Sequence, residues 1–323
     1  MNRTRRSILR ALEAGPASGP DLAAAADISR AAVWKHVEAL RQQGFSIDST
    51  ADGYVVTDTP EYGSTAAIEY GRTAPYQVRY YDELSSTNQR ARELAAEGAE
   101  NIAVVAGRQT NSRGRLDRPW QSPDGAVSLS ILLRPDRPPA HAPLFTLAAA
   151  VATVDVARSL GVDAAIKWPN DVIVPENPDA GYGGRKLCGI LTEMEGEADR
   201  ISWLVVGIGL NADIDAAELP DNATSIRSEI DGPVDRGETV RAMLAAFDQQ
   251  ITTLDSVLDA WRDRSVTLGM PVRVETHTDT ITGIAEDIVM PGALQIDTGE
   301  GIETVHAGDC EHLRPNDRHN DSL

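Results

Sequence analysis

Apolar residues recur at helical spacing in two short stretches at the start of the chain. The first stretch places Ile8, Leu9 and Leu12 on one side of a helix that stops at Gly15. The second begins with Pro20, a residue favoured in the first turn of a helix. These patterns predict two short helices within the first 28 residues.

A third stretch has the clearest helical pattern of the N-terminal region. Ser29 is a favourable N-cap and Gly44 a favourable stop. Between them, Val33, Val37 and Leu40 form one apolar face. We therefore predict a helix that starts after Ser29 and ends before Gly44.

Residues 45–56 follow a different pattern, with strand-forming residues on both sides of a turn at Asp52-Gly53. Three helices followed by a hairpin are typical of a winged helix-turn-helix. In this interpretation the third helix enters a major groove of DNA. The side chains it presents there are Ser29, Arg30, Trp34 and Lys35. A helical protein–protein module remains the alternative.

Further along the chain, strand patterns are grouped between helical ones instead of alternating strictly with them. Strand patterns cover 76–84, 101–107, 125–133, 164–174, 185–196 and 201–213, and helical patterns cover 89–98, 143–161 and 239–264. We expect 125–133 to be an alternating, mostly buried strand and 143–161 to be amphipathic. Pro169 interrupts the strand at 164–174, which favours an edge or a bulge. The pattern predicts an α+β domain with a mixed or antiparallel sheet.

Four or five short strand patterns follow in the last 60 residues. Their turns fall at Thr278-Asp279, Pro291-Gly292 and Gly299-Gly301, which suits a small SH3-like β-barrel. The predicted organisation is a winged helix-turn-helix at 1–60, a linker with one short helical turn at 61–76, a catalytic domain at 77–265, an SH3-like domain at 266–315 and a disordered tail at 316–323.

Composition narrows the class of protein. The chain is 41% apolar without a run of 18 apolar residues, so we expect no membrane span. Cys188 and Cys310 are too few for a disulfide framework and too isolated for a zinc site, and we expect a cytoplasmic protein. Three of the 30 basic residues are lysines, which leaves 27 arginines. Arginine enrichment with a net charge of −19 suggests, as a hypothesis, a halophilic protein.

Charge is distributed unevenly along the chain. Residues 1–44 carry seven basic and four acidic side chains, a local charge of +3 that suits a phosphate-facing surface. Two of the three lysines, Lys167 and Lys186, lie within 20 positions of each other, which indicates a chemical role. Four arginines in 11 residues suggest recognition of phosphate or carboxylate. These are Arg108, Arg113, Arg115 and Arg118. The alternatives are chance survival of the lysines and a solvated face for the arginines.

Two nucleotide-binding motifs can be set aside. No P-loop exists, because none of the three lysines follows a glycine. Residues 207–212 match a loose dinucleotide pattern, but the residues after them do not form a convincing helical pattern. At 85–88, by contrast, Ser, Thr and Asn stand where a strand meets a helix. They can cap the helix or bind a docked ligand.

Five motifs in this order resemble the bifunctional biotin protein ligases that also repress biotin genes. They are SSTNQ at 85–89, GRQTNSRGRLDRPWQSPDG at 107–125, KWPND at 167–171, GRKLCGILTE at 184–193 and GIGLN at 207–211. The resemblance covers essentially the whole chain. It implies a central mixed-sheet domain like that of class II tRNA synthetases, between the winged helix and the SH3-like barrel.

The resemblance also implies a two-step reaction. Biotin and ATP, with Mg²⁺, give biotinyl-5′-AMP, and the biotinyl group then passes to a lysine of a carboxylase carrier domain. Bound adenylate promotes a homodimer that occupies operator DNA, and we expect the polar segment 211–229 to become ordered in that transition. Because adenylation builds negative charge on phosphate, fixed cations are what its transition state requires.

Site residues follow from the same resemblance. Biotin contacts are implied for Ser86, Thr87, Asn88, Gln109, Arg113, Arg115, Lys186 and Gly189. Contacts to ATP or the adenylate are implied for Arg113, Arg118, Trp120, Lys167, Asn170 and Asn211. The catalytic residues are Arg113, Arg115, Lys186 and Asp171, with Asp171 also on the metal side. As a hypothesis, Asp171 orients or deprotonates the incoming amine.

The sequence departs from the family pattern at two places. Ser112 stands before Arg113 where the family usually has glycine, so this turn has less access to positive φ. Residues 172–183 form a longer connection than in many relatives, which we interpret as an extended hairpin tip. Three alternatives stay open: a lipoate–protein ligase, a transcription factor whose core only senses biotin, and a ligase whose winged helix no longer regulates transcription.

Overall fold

The computed structural model describes residues 3–60, 62–176, 183–276 and 278–313. Its α-helices are α1 Arg3–Glu13, α2 Gly19–Ala26, α3 Arg30–Arg41, α4 Thr65–Glu69, α5 Thr87–Ala96, α6 Ala142–Ser159, α7 Ile226–Ile230, α8 Arg236–Thr252 and α9 Val257–Arg262. Its strands are β1 Ser46–Thr50, β2 Gly53–Asp58, β3 Gln77–Leu84, β4 Ile102–Gln109, β5 Ala126–Leu133, β6 Ala165–Lys167, β7 Asp171–Val174, β8 Arg185–Gly196, β9 Ile201–Asn211, β10 Pro271–Glu275, β11 Thr280–Val289, β12 Ala293–Asp297, β13 Ile302–Val305 and β14 Asp309–His312.

The N-terminal module has the predicted three helices and hairpin, packed around a core of its own. The hydroxyl of Ser29 caps α3 by accepting a hydrogen bond from the Ala32 N–H at 3.3 Å. The hairpin turn lies at Ala51-Asp52, one residue earlier than predicted. Gly53 then adopts a φ of 122°, and a Cβ there would lie 2.3 Å from the Ala17 carbonyl oxygen. Glycine is therefore required where β2 passes Ala17, just before α2.

The central domain is a seven-stranded sheet in the order β3-β4-β5-β9-β8-β7-β6. Only β3 and β4 are parallel among its neighbouring strands, which confirms the predicted mixed sheet. The segment 164–174 is not one interrupted strand. It forms two antiparallel strands, β6 and β7, that reverse direction across Trp168–Asn170, with β6 at the predicted edge.

Two predicted elements are buried more completely than their sequence patterns indicated. Every residue of β5 is buried, because α5 covers one face of the sheet while α6 and α8 cover the other. The predicted amphipathic character of 143–161 is wrong, since α6 is enclosed on nearly all sides. The stretch 139–159 is long and apolar enough to cross a membrane, but most of its residues are buried within the protein, as in a core helix.

The predicted helix at 239–264 is divided into α8 and α9 by a 3-10 turn at Leu254–Ser256. At the end of α8, the hydroxyls of Thr252 and Thr253 donate to the carbonyls of Asp248 and Gln249. Such side-chain bonds to the preceding turn compete with helix propagation. The continuous helix predicted from the apolar spacing is therefore wrong at this point.

The C-terminal module is a five-stranded antiparallel sheet in the order β13-β12-β11-β10-β14, as expected for the predicted small barrel. Its buried side chains belong to the same hydrophobic cluster as the central domain. The predicted tail at 316–323 and the tip of the predicted hairpin at 177–182 lie outside the described residues.

The predicted linker contains the expected short helical turn, α4, but it is more than a spacer. Ala66 packs in the N-terminal core, whereas Ile68 packs in the central core. Glu69, whose side chain is 1% exposed, forms an ion pair with Arg6 at 2.8 Å. This segment therefore joins the two cores by packing as well as by covalent connection.

Candidate active site

A cleft of about 790 Å³ lies between the arginine-rich loop and strands β8 and β9. It collects almost every residue that was predicted for the site: Ser86, Thr87, Asn88, Gln109, Arg113, Arg115, Arg118, Trp120, Asn170, Asp171, Lys186, Gly189 and Asn211. Lys167 is not among its lining residues. That lysine lies on the edge strand β6, where its charge acts on Cys310 of the C-terminal module. The interpretation of Lys167 as a cleft residue is not supported by its position.

The indole of Trp120 packs directly against the backbones of two central strands. Gly189 on β8 and Gly209 on β9 are cross-strand partners. A Cβ would lie 2.8 Å from Nε1 of Trp120 at Gly209, and 3.1 Å from its ring at Gly189. The glycines of the 184–193 and 207–211 motifs therefore provide the space for a tryptophan, because only glycine permits so close an approach.

Lys186 stands beside this tryptophan, between an aromatic face and a carboxylate. Its Nζ lies 5.2 Å from the centroid of the Trp120 ring, within the range of a cation–π interaction. The same Nζ lies 2.7 Å from Oδ1 of Asp171, although that oxygen accepts no hydrogen bond of good geometry. The Lys186–Asp171 contact is therefore an ion pair without directional constraint, and either partner can exchange it for a ligand.

The arginine-rich loop between β4 and β5 is fixed by contacts within the catalytic domain and with the C-terminal module. Arg115 donates to Oδ1 of Asn170 at 3.1 Å and to the carbonyl oxygen of Gly308 at 2.9 Å. Burial lowers the pKa of Arg115 from its ordinary value, while nearby Asp309 and Asp171 oppose that shift. Arginine remains protonated despite such a shift, so Arg115 holds a positive charge in a partly desolvated position.

Two further residues of the loop explain its shape. Ser112 donates through its hydroxyl to the Trp120 carbonyl, and the Trp120 N–H donates back to the Ser112 carbonyl, each at 3.0 Å. The left-handed conformation in this loop belongs to Leu116, with a φ of 56°. The departure at Ser112 is thus accommodated, because serine closes the loop without needing a positive φ.

At the opposite end, the cleft is lined by uncharged polar groups, with the ion pair between Arg92 and Glu193 beside them. Ser86 caps α5 through the Gln89 N–H at 3.3 Å, which places Thr87 in the first turn of the helix. Thr87 donates its backbone N–H to Oε1 of Gln109 at 2.7 Å. Nε2 of Gln109 donates to Ser128 at 3.1 Å. The arrangement separates a neutral polar end from a cationic end.

Asn170 and Asn211 are held by the protein framework. Nδ2 of Asn170 donates to the Ile190 carbonyl at 2.7 Å. Asn211 is buried, and its Nδ2 donates to the carbonyls of Thr224 and Lys186 at 2.9 and 3.3 Å. Asn211 therefore positions the segment after β9 against β8. The predicted ordering of that segment in response to adenylate stays a prediction.

The predicted DNA-facing residues form one exposed surface on α3. Ser29, Arg30 and Lys35 are exposed, and the Trp34 side chain is 58% exposed although Val33 and Val37 on the same helix are buried. A large aromatic residue on a solvated face that also carries two cations is typical of an interaction surface. The core of the module lies on the opposite side of the helix.

Three family models match the chain in the order of its three modules. "HTH domain" matches residues 4–55, "Biotin/lipoate A/B protein ligase family" matches 80–211, and "Biotin protein ligase C terminal domain" matches 267–313. The bifunctional ligase/repressor BirA of Bacillus subtilis (strain 168) is 34% identical over 310 residues, which cover 91% of this chain and 93% of the relative. The chain belongs to the bifunctional biotin ligase/repressor family.

Two further relatives match about three quarters of this chain. The biotin–[acetyl-CoA-carboxylase] ligase of Mycobacterium tuberculosis is 33% identical and covers 74% of this chain and 90% of its own length. Among solved structures, the biotin protein ligase from Aquifex aeolicus in complex with biotin and ATP superposes with a TM-score of 0.62. It covers 73% of this chain and 99% of its own, and at 24% identity it shows the shared ligase fold.

Three charged residues that line the cleft of this ligase-family chain were not identified from the sequence. On α5, Arg92 follows Asn88 by four residues, which is about one helical turn. On β8, Glu193 follows Leu191 by two residues and Gly189 by four. Their spacing, four residues on a helix and two on a strand, is the signal that could have placed them. Asp309 had no local signal, because it reaches the cleft from the C-terminal module.

No cluster of three or more histidine, cysteine or acidic side chains suited to a metal occurs in the described part of the chain. Asp171 is the acidic side chain beside the cationic end of the cleft. Mg²⁺ in nucleotide sites commonly takes one or two carboxylates and completes its shell with phosphates and water. The residues present fit that mode of binding and not a cage made entirely by protein.

Proposed function

We propose that this chain is an ATP-dependent biotin protein ligase that makes biotinyl-5′-AMP and transfers biotin to a lysine of a carboxylase carrier domain. The observation that carries the proposal is one cleft with a neutral polar end at Thr87 and Gln109 and a cationic end at Arg115 and Lys186. Trp120 lies beside Lys186 and packs on Gly189 of β8 and Gly209 of β9. Such a cleft suits a ligand with a polar uncharged ring and an anionic tail.

For the first step, the chain supplies fixed positive charge around the reacting groups. The biotin carboxylate attacks the α-phosphorus of ATP, and pyrophosphate leaves. Lys186 holds the carboxylate and the α-phosphate, while Arg113, Arg115 and Arg118 hold the nucleotide phosphates. Because Arg115 is already fixed by two hydrogen bonds, little reorganisation is needed as charge develops. Asp171 would hold Mg²⁺ on its side of the cleft, and the ion would there neutralise phosphate charge.

For the second step, the carrier lysine attacks the mixed anhydride and AMP leaves, so no protein nucleophile is needed. When an anionic ligand binds Lys186, it replaces Asp171 as the partner of that lysine. Asp171 can then orient or deprotonate the incoming amine. Asp171→Asn should therefore slow transfer from pre-made biotinyl-AMP. Normal transfer by that variant would refute the role of Asp171.

The ligase activity is tested with ATP, carrier protein and either biotin or lipoate. We expect biotin-dependent pyrophosphate exchange and biotin transfer, with lipoate inactive. Lys186→Met should reduce the rate of exchange by about 10²-fold or more, the effect typical of removing a group that stabilises developing charge. Arg108→Ala is the matched control, because Arg108 is exposed, pairs with Glu83 and lies outside the cleft. Absent exchange with biotin would favour a core that only senses the ligand.

We infer that the chain is also a biotin-responsive repressor that binds operator DNA as a homodimer. The exposed face with Arg30, Trp34 and Lys35 on α3 supports DNA binding. Biotin and ATP should produce a shift of the DNA upstream of the gene, and Trp34→Ala should abolish it without affecting exchange. A protein that makes adenylate but never shifts this DNA would be a ligase only.

We propose a cytoplasmic protein adapted to high salt on the basis of the net charge of −19 and the excess of arginine over lysine. Its unfolding midpoint should rise between low and molar KCl. An unchanged midpoint would refute the halophilic part of the proposal.

A further inference from the structure

Behind the polar end of the cleft lies a chain of hydrogen-bonded side chains that extends to a carboxylate. Oγ of Ser130, which is fully buried, lies 2.7 Å from Oγ1 of Thr87 and 2.6 Å from Oδ1 of Asn88. Nδ2 of Asn88 donates to Glu193 at 2.8 Å. Glu193 is in turn ion-paired with Arg92 at 3.3 Å. These five residues define a polar relay.

The direction of each hydrogen bond in the polar relay follows from the carboxylate. Glu193, paired with an arginine, accepts hydrogen bonds and cannot donate them. The amide of Asn88 must therefore point Nδ2 at Glu193, where Nδ2 also donates to the Leu191 carbonyl at 3.2 Å. Oδ1 of Asn88 then faces Ser130, so Ser130 must donate its only hydroxyl proton to Asn88.

This assignment leaves one arrangement at Thr87. The only hydroxyl proton of Ser130 is donated to Asn88. The oxygen of Ser130 nevertheless lies 2.7 Å from Oγ1 of Thr87, too close for two oxygens without a proton between them. Thr87 must therefore donate to Ser130. Oγ1 of Thr87 also lies 3.1 Å from Oε1 of Gln109, a separation that oxygens tolerate without a hydrogen bond. The shorter contact decides where the proton lies.

The opposite orientation of the Asn88 amide is excluded by its surroundings. With the amide reversed, its oxygen would face both the Glu193 carboxylate and the Leu191 carbonyl. The side chain also has no room to move away, because a Cβ on Gly207 would lie 2.1 Å from Oδ1 of Asn88. Both ends of the Asn88 amide are therefore engaged in the relay, and its role as a direct biotin contact stays a prediction.

The result is a defined pattern of donors and acceptors toward the cleft. Thr87 has no proton left and offers lone pairs, so it accepts. Gln109 uses its Oε1 for the Thr87 N–H and one Nε2 proton for Ser128, and its second Nε2 proton remains as a donor. An acceptor beside a donor is complementary to an N–H beside a C=O, as in a cyclic urea.

We propose that Glu193, Asn88 and Ser130 are positioning residues that set the proton direction at Thr87 and thereby make the cleft select a ring N–H. The inference rests on the proposed function and deepens it. It assigns selectivity to three residues linked to Thr87 by hydrogen bonds, one of them fully buried, in addition to Thr87 and Gln109 themselves. A ring oxygen in place of that N–H meets the lone pairs of Thr87 and is rejected.

The test compares three ligands by calorimetry on the full-length protein without ATP. They are biotin and the two cyclic carbamates in which one or the other ring N–H is replaced by oxygen. Wild type should bind one carbamate roughly 10- to 100-fold more weakly than biotin, the usual cost of an unmatched buried polar group. In Ser130→Ala the Thr87 hydroxyl is free to rotate and donate to the ring oxygen. The loss of carbamate affinity relative to biotin should then shrink by roughly tenfold.

Two further variants show whether the relay acts through proton direction. Glu193→Gln retains an oxygen that accepts from Asn88, so it should keep the wild-type loss of carbamate affinity relative to biotin. Glu193→Ala should reduce that loss. It provides the test if Ser130→Ala fails to fold. Thr146→Val is a matched control, because it removes a hydroxyl paired with Thr192 at 2.7 Å outside the relay. Its loss of carbamate affinity should equal that of the wild type.

The possible failures are distinguishable. A wild type that binds biotin but shows no loss of affinity for either carbamate would overturn the relay and leave the ligase proposal intact. An unchanged loss of affinity in both Ser130→Ala and Glu193→Ala would do the same. A wild type that does not bind biotin at all would overturn the proposed function together with the inference drawn from it.

Discussion

The two outer modules are attached to the catalytic domain in different ways. The N-terminal module keeps a separate hydrophobic core, and its contact with the centre is made through α4 and the Arg6–Glu69 ion pair. The C-terminal module shares one continuous core with the catalytic domain. A module with its own core can move or open as a unit, whereas one that shares a core cannot separate without exposing apolar surface.

Chemistry follows the same division. The C-terminal module reaches the cleft itself, since Gly308 accepts a hydrogen bond from Arg115 and Asp309 pairs with Arg118 at 2.6 Å. The cleft lining contains no residue of the N-terminal module among those that the structure describes. The C-terminal module, which completes the cleft, shares the core of the catalytic domain. The N-terminal module, for which we propose DNA binding, contacts the catalytic domain through α4 and an ion pair. Four predictions test this contrast, from the largest expected effect to the smallest.

The largest effect is expected at the junction with the C-terminal module. Trp168 is fully buried, its Nε1 donates to the Gly292 carbonyl at 3.2 Å, and its backbone N–H donates to Thr267 at 2.9 Å. Trp168→Ala should lower the free energy of unfolding by about 3–5 kcal/mol. Urea denaturation measures the loss, and the exposed Trp34→Ala is the control that should show almost none.

Hydrogen exchange resolved by segment then shows where that loss is felt. The catalytic and C-terminal modules should lose protection together in Trp168→Ala, while residues 3–58 keep theirs. Equal loss of protection in the N-terminal module would contradict the contrast between the two junctions.

A smaller effect is expected when the N-terminal junction is broken. Glu69 pairs with Arg6 and also acts on Arg72, whose pKa is lowered by burial while Glu69 opposes that shift. Arg6→Met leaves a buried carboxylate with one partner fewer, which should cost about 1–3 kcal/mol because Arg6 is itself partly exposed. Hydrogen exchange in α1 and α4 should rise, while protection of β5 and β9 stays unchanged. Increased exchange throughout the catalytic sheet would argue against independent attachment.

A third prediction uses pH. Burial raises the pKa of Cys188 and of Cys310 to about 12, from an ordinary value of 9.0. Above pH 9 the unfolded thiols lose protons that the folded ones retain, so stability is complete below pH 9 and falls as the pH rises toward 12. Each thiol should cost about 1 kcal/mol between pH 9 and 10. Cys188→Ala should remove about that much of the decline.

The part of the alkaline decline that the thiols cause should concern the shared core, since both cysteines lie in it. Buried Tyr76, whose pKa is also raised by burial, adds to the same decline and is unaffected by the cysteine substitutions. Denaturation curves at pH 8, 9 and 10 measure the difference between wild type and variant. Parallel curves for the two proteins would show that the thiol does not contribute.

The smallest effect on stability is expected at the exposed pair between Arg118 and Asp309. Asp309→Asn should leave the unfolding midpoint unchanged, because exposed ion pairs contribute little. It should still speed dissociation of the acyl-adenylate by roughly two- to fivefold, since it loosens the loop that covers the ligand. Glu311→Gln, on the same strand and paired with Arg273, is the control. Equal release rates in all three proteins would remove the C-terminal module from this role.

Local chemistry determined much of this protein from the sequence alone. Periodicity and capping predicted the helices of the N-terminal module, because Ser29 and Gly44 act on their own neighbours. The motifs that predicted the cleft work for a similar reason. Each places its functional groups within a few residues, as in 85–89 or 107–125.

What only the tertiary structure decided concerns residues distant in the chain. Whether α6 has a polar face depends on what covers it, and α8, α9 and the sheet cover it on nearly all sides. Lys167 and Lys186 look equivalent in sequence, yet only Lys186 lies on a strand beside Trp120 and Asp171. The polar relay joins positions 87 to 193, and hydrogen-bond direction depends on every partner at once. Such a network exists only when the strands are assembled.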